Sequence, residues 1–557
     1  MLSASTCEHA SVTSSTTTDR ISNTADELFG WTELRPGLAD AIAQVLDGRD
    51  VLAIMPTGYG KSAVYKVAGA LLPGMTVVVS PLIALQDDQV AGIRDRPTAP
   101  TAYAINSAQG ERANEEAWRE VEGGRVGYLF LSPEQLARED VIERLAAASV
   151  SLFVVDEAHC VSSWGHDFRP DYLRLHDAVD AIGRPTVLAM TATGAGPVRQ
   201  EIVDRLELRD PVLISRGYDR PNIRLEVVRH SDDDAKRAAV VEDVESLQKP
   251  GLLYVGTRRD TERYAEELRS RGLRAAAYHG GLGAKDRRGL HEGFRADEYD
   301  VVVATSAFGM GIDKAGIRFV LHAAVTESVD EYYQEVGRSG RDGEPALARL
   351  HYRSEDLSLR SFFAGNSPNR SRLERIATAL ASVERPVSAA ELAEATLLSS
   401  RQLGPSLSLL IDAGAAVDGD DGISAVSDMG VGEAVAAAVT QAENRANIDE
   451  SRIAMMRSYA ETLSCRRIFL LGYFGEERDE PCGNCDTCTS GTAYEHLDGA
   501  DQDAGPFPVD ATVRHREWGS GTVMKVEDDR ITVFFGTEGY RVLSLEAIAE
   551  HDLLERV

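Results

Sequence analysis

The stretch "DVLAIMPTGYGKS", Asp50 to Ser62, runs from an apolar strand pattern through a glycine turn into a helical pattern. That order is the context a phosphate-binding loop requires. Gly58 and Gly60 let backbone N–H groups turn toward phosphate. Lys61 brings a point charge to the β- and γ-phosphates of a nucleotide, and Ser62 brings a hydroxyl to Mg2+. Met55 and Tyr59 occupy positions where the strict pattern has small residues, so the loop needs a second motif to support it.

That motif lies about a hundred residues on. "LFVVDEAH" reads as a buried strand with Asp156 and Glu157 at its carboxyl end, where sites form in α/β sheets. Asp156 is expected to hold Mg2+, directly or through water, and Glu157 to orient and activate the attacking water. His159 is expected to link this acid pair to a second domain through hydrogen bonds. The following "CVSSWGHDFRPDY" carries Trp164 and Phe168, two stacking faces for bases, and Arg169, a phosphate donor. Further on, "YYQEVGRSGRDG" places Arg338 and Arg341 three residues apart. On a helix both would lie on one face, suited to the charge that develops on a transferred phosphoryl group.

Around these motifs, short β-rich runs alternate with helical stretches from about Leu28 to Leu208, and the pattern restarts after Pro221 with "GLLYVG", "RAAAYHG", "DVVVATS" and "IRFVLHA". This predicts two tandem doubly wound parallel-sheet domains joined near "SRGYDRPN". Residues 370 to about 430 read as a winged-helix-like segment with Arg401 on its recognition helix and an acidic "DGDDG" turn. A helical segment leads to Cys465, Cys482, Cys485 and Cys488, spaced C-x16-C-x2-C-x2-C. Four thiolates at such spacing make a closed tetrahedral zinc site, with Cys465 on an amphipathic helix. The last fifty residues alternate as short strands with glycine turns, the pattern of a small β-barrel.

The 557 residues carry 59 Lys+Arg against 89 Asp+Glu, a net charge of −30. That acidity disfavours broad electrostatic contact with nucleic acid but leaves room for a local basic groove. No apolar run reaches membrane-spanning length and no leader-like apolar region opens the chain, so the expectation is a cytoplasmic protein with no membrane partner. The six cysteines do not form a secreted disulfide framework.

Taken together, "FGWTELRPG", "MPTGYGKS", "VVVSPLIALQDDQV", "DEAHCVSSWGHDFRPDY", "MTAT", "DRPNI", "AYHGGL", "VVVATSAFGMGIDK" and "QEVGRSGRDG" resemble the RecQ family of superfamily-two DNA helicases, over about Leu28 to Arg353 and again over Cys465 to Cys488. The resemblance implies two RecA-like domains with ATP in the cleft between them. Gln334 and Asp313 would help sense nucleotide, and Trp31 and Arg35 would help hold it. It implies a loop around Trp164 and Phe168 that couples single-stranded DNA to hydrolysis, and 3′ to 5′ unwinding of tailed duplex DNA in repair and recombination. Leu38 stands where the family has an adenine-reading glutamine, and the winged-helix-like segment precedes the zinc module rather than following it. The C-terminal barrel resembles the Tudor-like domain of UvrD/PcrA-type helicases and implies a protein partner such as RNA polymerase. Its Trp518 and Tyr540 are equally suited to a contact surface and to a core.

The expected layout is a disordered tail over 1–25, domains over 26–215 and 216–365, the winged-helix-like segment over 366–430, the zinc module over 431–490, a linker over 491–506 and the barrel over 507–557. The competing readings are a nucleotide-gated DNA clamp or recruitment scaffold acting through the barrel, and a translocase that never separates strands.

Overall fold

The computed structural model describes residues 7–556 apart from 97, 163–168, 310–313, 358–367, 384, 420–421, 427–428, 498–506, 508–510, 527–529 and 536–538. Two units partition the chain: Met1–Arg353 with Tyr459–Ala500, and Ser354–Ser458 with Asp501–Val557.

In the first unit, strands β1 (Val51–Ile54), β2 (Met75–Val79), β3 (Ala102–Ile105), β4 (Tyr128–Leu131), β5 (Val150–Val155), β6 (Thr186–Thr191) and β7 (Val212–Ser215) form one sheet. Its order is β3-β4-β2-β5-β6-β1-β7, and every pairing is parallel. The strands are short apolar runs because helices cover both faces. Val51, Phe153, Val154 and Leu188 are fully buried. Since all strands point one way, the loops after β1, β5 and β6 emerge on one edge.

A second all-parallel sheet follows. Strands β8 (Ile223–Arg229), β9 (Gly251–Tyr254), β10 (Ala275–Tyr278), β11 (Val301–Ala304), β12 (Phe319–His322) and β13 (Ala346–Tyr352) take the order β10-β11-β9-β12-β13-β8. The expected tandem α/β pair is therefore present.

Two expectations fail here. Residues 7–29 are not a disordered tail but a helix, Cys7–Phe29. Its Ile21, Ala25 and Phe29 recur every four residues on one face and are buried in the core of the first sheet. The Ser/Thr-rich composition hid this because three buried positions, not propensity, hold the helix. The segment assigned as a linker over 491–506 opens with a short helix, Thr492–Leu497.

In the second unit, helices Arg370–Ala381, Ala389–Thr396 and Ser400–Asp412 pack around Leu373, Ile376, Leu392 and Leu403. Ser388 and Glu391 cap the second helix reciprocally. The hairpin of β14 (Ala416–Gly419) and β15 (Gly422–Ala425) follows, with Val387 bridged to Ile423 as a third edge. Near the C-terminus, β16 (Thr512–His515), β17 (Gly519–Val526), β18 (Arg530–Phe535), β19 (Gly539–Ser544) and β20 (Leu554–Arg556) form an antiparallel sheet in the order β19-β18-β17-β16-β20. Trp518 stacks on His515 at 3.8 Å and meets Phe535 edge-on, while Tyr540 is 6% exposed, so both belong to the packing of this sheet. Among the described residues no helix is long and apolar enough to cross a membrane.

Phe29→Ala should lower the stability of the first α/β domain by about 3–5 kcal/mol, the usual cost of emptying a buried aromatic site. A urea titration followed by far-ultraviolet circular dichroism checks it. An unchanged midpoint would mean the N-terminal helix is not part of this core.

Candidate active site and zinc centre

β1 and β5 flank β6, with Ile54 beside Thr191 and Val155 beside Ala189. The phosphate loop, the acid pair and the Thr191–Gly194 segment therefore leave the sheet side by side. Gly58 and Gly60 take φ values of 75° and 95°, which side chains disfavour. Lys61 then caps the helix Ser62–Leu71, whose first-turn N–H groups point back into the loop. The Nζ of Lys61 is buried and has no hydrogen-bond partner among the described residues. A buried ammonium left unbonded is a strong fit to a phosphate oxygen.

The acid pair lies beside it. Asp156 accepts a hydrogen bond from the Glu157 N–H at 3.0 Å, and Tyr172 donates its hydroxyl to the Asp156 carbonyl at 3.2 Å. Burial, and then the Glu157 charge, push Asp156 up to about 7, while Lys61 pulls it down. Two adjacent, half-buried carboxylates suit a divalent cation. Glu157 adopts φ 50°, a left-handed conformation that non-glycine residues enter at some cost and that recurs at functional turns. The His159 Nδ1 lies 3.0 Å from the Thr191 hydroxyl of its own domain. Burial, with Lys61 and Arg169 nearby, holds it down at about 3. It is neutral, so its 3.4 Å approach to Glu157 is not an ion pair.

Arg35 donates to the Gly58 carbonyl at 2.7 Å and lies over the Tyr59 ring, and Tyr59 donates to the Pro36 carbonyl at 3.0 Å. The bulky loop residue thus staples the loop to the preceding segment. Trp31 stacks on Phe29 at 4.9 Å, half-buried. Leu38 is buried, and a Cβ placed on Gly60 would lie 3.8 Å from its Cδ1, so an apolar group faces the loop.

The second domain closes the site from the other side. The Thr57 hydroxyl donates to the Gly337 carbonyl at 3.1 Å. A Cβ added at Gly58 would sit 3.0 Å from Cγ and Cδ of Arg341, so this arginine reaches the phosphate loop. Arg338 and Arg341 do not share a helical face as expected. The helix Val329–Val336 ends before them, and they lie in turns that Gly337 and Gly340 create, the latter with φ 55°. Arg220 donates to the Ser339 and Gly340 carbonyls at 3.0 and 2.9 Å, and Asn222 to Gly340 at 2.8 Å, fixing that turn. Arg338 is 3% exposed and, with Gln334, lines a cavity of about 450 Å³ beside Thr305 and Ser306. The arginines therefore separate, with Arg341 at the phosphate loop and Arg338 in the second domain's cavity. Neither Thr57 nor Arg220 was singled out from the sequence, because their partners are backbone carbonyls that only the docked domains supply.

Arg169 donates to the Pro81 carbonyl at 2.9 Å. Trp164, Phe168 and Asp313 lie outside the described residues.

The four thiols converge. Ligand atoms of Cys465, Cys482, Cys485 and Cys488 all lie within 4.8 Å of one another, and Cys482 and Cys488 are 3.9 Å apart. Tetrahedral Zn–S bonds of about 2.3 Å require sulfur separations of roughly 3.8 Å. Backbone N–H groups of Cys482 and Asn484 donate to the sulfurs of Cys465 and Cys482, each at 3.3 Å. Burial, and then Cys485, push Cys488 up to about 11, so the cluster needs a cation to carry four thiolates. Cys465 does not lie inside a helix but is the N-cap of the helix Arg466–Tyr473. Cys485 bridges to Leu225, so the zinc segment covers the β8 edge of the second sheet.

Two outcomes follow from this geometry. His159 binds no proton in the folded state above about pH 3, whereas the unfolded chain takes one up near 6.5. Its contribution to stability is thus present above pH 6.5 and is lost as pH falls toward 3, at about 1.4 kcal/mol per pH unit. His159→Asn should flatten that slope in urea titrations between pH 6.5 and 5; an unaltered slope would show that His159 is charged in the fold. Metal analysis should find one zinc per chain, and Cys485→Ser should lose it together with several degrees of melting temperature.

Three family models match the chain: DEAD/DEAH box helicase over residues 35–201, helicase conserved C-terminal domain over 235–343, and RecQ zinc-binding over 426–489. The probable ATP-dependent DNA helicase RecS of Bacillus subtilis is 40% identical over 61% of this chain and 68% of its own length. The ATP-dependent DNA helicase RecQ of Pasteurella multocida is 33% identical over 83% of this chain, which spans 61% of that relative. Among solved structures, Mss116p bound to ssRNA and AMP-PNP matches with a TM-score of 0.51 at 18% identity, covering 72% of this chain and 89% of that one, and so shares the fold. By these matches the chain belongs to the RecQ family of superfamily-two ATP-dependent DNA helicases.

Proposed function

We propose that the protein couples ATP hydrolysis to movement along single-stranded DNA and to unwinding of 3′-tailed duplex, acting on chromosomal DNA in repair and recombination. The observation that carries this reading is the contact of Arg341 with the phosphate loop opposite Lys61. Lys61, Ser62 and the N–H groups of Gly58 and Gly60 hold the β- and γ-phosphates. Asp156 and Ser62 hold Mg2+, which neutralises phosphate charge when bound. Glu157 orients a water molecule and takes its proton. Arg341, supplied by the other domain, meets charge that grows on the departing phosphoryl group, and Gln334 and Asp313 report the nucleotide's state to the second domain. Hydrolysis therefore depends on the domains being together, and opening and closing the cleft is the motion that moves DNA. Trp164, Phe168 and Arg169 follow directly from the acid pair in the chain and are assigned to the DNA strand.

The small C-terminal sheet is assigned to a protein partner, RNA polymerase in our reading, on its resemblance to Tudor-like modules. The buried Leu38 offers no amide to a base, which favours broad nucleotide use. It also favours the clamp as a second reading.

Lys61→Ala should abolish ATP turnover and leave the protein folded with a cooperative melt, since the ammonium has no hydrogen-bond partner among the described residues. The wild-type protein should open a 3′-tailed duplex and not a 5′-tailed one, with ATP and Mg2+, in a gel-based strand-separation assay. DNA-stimulated hydrolysis without opening of either substrate would replace the helicase reading with the clamp or translocase.

A further inference from the structure

Residues 216–222 connect the two α/β domains, between β7 and β8. The linker is not a free tether, because the zinc module holds it almost residue by residue. Glu476 accepts the Tyr218 N–H at 2.5 Å. Arg467 and Arg478 both pair with Asp219, at 2.5 and 3.2 Å, and Arg467 also donates to the Ile223 carbonyl at 2.6 Å. Asn484 donates to the Pro221 carbonyl at 3.0 Å.

At the centre of these contacts is Phe474, fully buried at the end of the helix Arg466–Tyr473. The helix ends in a Schellman closure: Glu476 N–H bonds the Leu471 carbonyl at 2.9 Å, with Gly475 at φ 75°. The turn sets the Phe474 ring between two tyrosines. It stacks on Tyr218 of the linker at 4.4 Å and 11°, and lies 4.8 Å from Tyr333 on the helix that precedes Arg338 and Arg341. Its carbonyl accepts from Arg199, which also bonds the Gly194 carbonyl at 2.7 Å. Tyr218 donates to Gly194 at 3.1 Å, and Tyr333 donates to the Tyr218 carbonyl at 2.7 Å.

One residue of the zinc module thus touches the first domain, the linker and the helix that leads into the Arg338–Arg341 turns. A small void of about 20 Å³ lies beside it, lined by Tyr218, Tyr333, Val336, Gly337 and Leu470. Gly337 is also the acceptor for Thr57 of the phosphate loop. We propose that Phe474, with Glu476, is a positioning residue for ATP hydrolysis: a wedge at the hinge through which the zinc module sets how closely Arg341 approaches the phosphate loop. Phe474 touches no reacting atom. It acts by fixing the spacing of Tyr218 and Tyr333, so its loss leaves Lys61 and the nucleotide-binding loop intact while the second domain docks in a wrong register.

This inference rests on the ATPase reading above, and the assay separates the two. Full-length wild type, Phe474→Ala, Glu476→Ala and Glu476→Gln are compared for zinc content, melting temperature, and kcat and KM for ATP with saturating single-stranded DNA. The expected result is one zinc per chain throughout, KM within twofold of wild type, kcat lowered about tenfold in Phe474→Ala and about threefold in Glu476→Ala. Glu476→Gln, which still accepts the Tyr218 N–H, should be close to wild type. Should Phe474→Ala fail to fold, the Glu476 pair decides. Unchanged kcat in the folded, zinc-bound alanine variants, or a rise in KM alone, overturns the wedge. If the wild type itself turns over no ATP, the ATPase reading fails instead.

Discussion

A buried positive charge that the fold leaves unbonded is the constraint around which this molecule is arranged. Among the described residues the buried Lys61 Nζ has no hydrogen-bond partner, and the neighbouring Asp156 carboxylate feels its charge. That placement is imposed by the first parallel sheet, whose strands are buried on both faces and end on one edge. Such a sheet cannot move its β1 loop away from its β5 loop without breaking the pairing through β6. The same geometry buries Asp156 and sets it beside Glu157, and both raise its pKa while Lys61 lowers it. The empty ammonium and the crowded carboxylates are complementary to one ligand class, a phosphate chain carrying a dication.

The second domain completes this arrangement through backbone carbonyls more than through side-chain pairs. Thr57 bonds the Gly337 carbonyl, and Arg220 and Asn222 bond the carbonyls of the turn that presents Arg341. Carbonyl contacts of this kind fix the position of a turn closely and depend little on which side chains the turn carries. The zinc module reaches the same turn from behind, through Phe474 and Tyr333. Metal binding and nucleotide chemistry are therefore neighbours in space although their residues lie some 400 positions apart in the chain.

The parts legible in the sequence are those whose signal is local. Asp156 follows an apolar strand directly, and Lys61 closes the glycine turn between an apolar strand and a helix, so local order alone places both. The cysteine spacing likewise brought all four thiols together. The misread parts have non-local causes. The helix Cys7–Phe29 owes its existence to Ile21, Ala25 and Phe29 packing on a core that begins later in the chain. Arg338 and Arg341 have helical spacing, but Gly337 and Gly340 interrupt the helix and send the two side chains to different places. Tyr59 reads as a departure in the phosphate loop, and its role as a staple to Pro36 shows only when both segments are folded.

Residue type and spacing are enough for the two-domain parallel-sheet class, the phosphate loop, the acid pair, the four-cysteine cluster and the family. Each of these depends on residue type and spacing within one short segment, or on several such segments in fixed order. Folding settles which arginine faces the phosphate loop, what holds the linker between the domains, and that Phe474 lies among all three parts of the first unit. Those contacts join residues more than a hundred positions apart, through ring faces and main-chain carbonyls whose partners no local sequence pattern can single out.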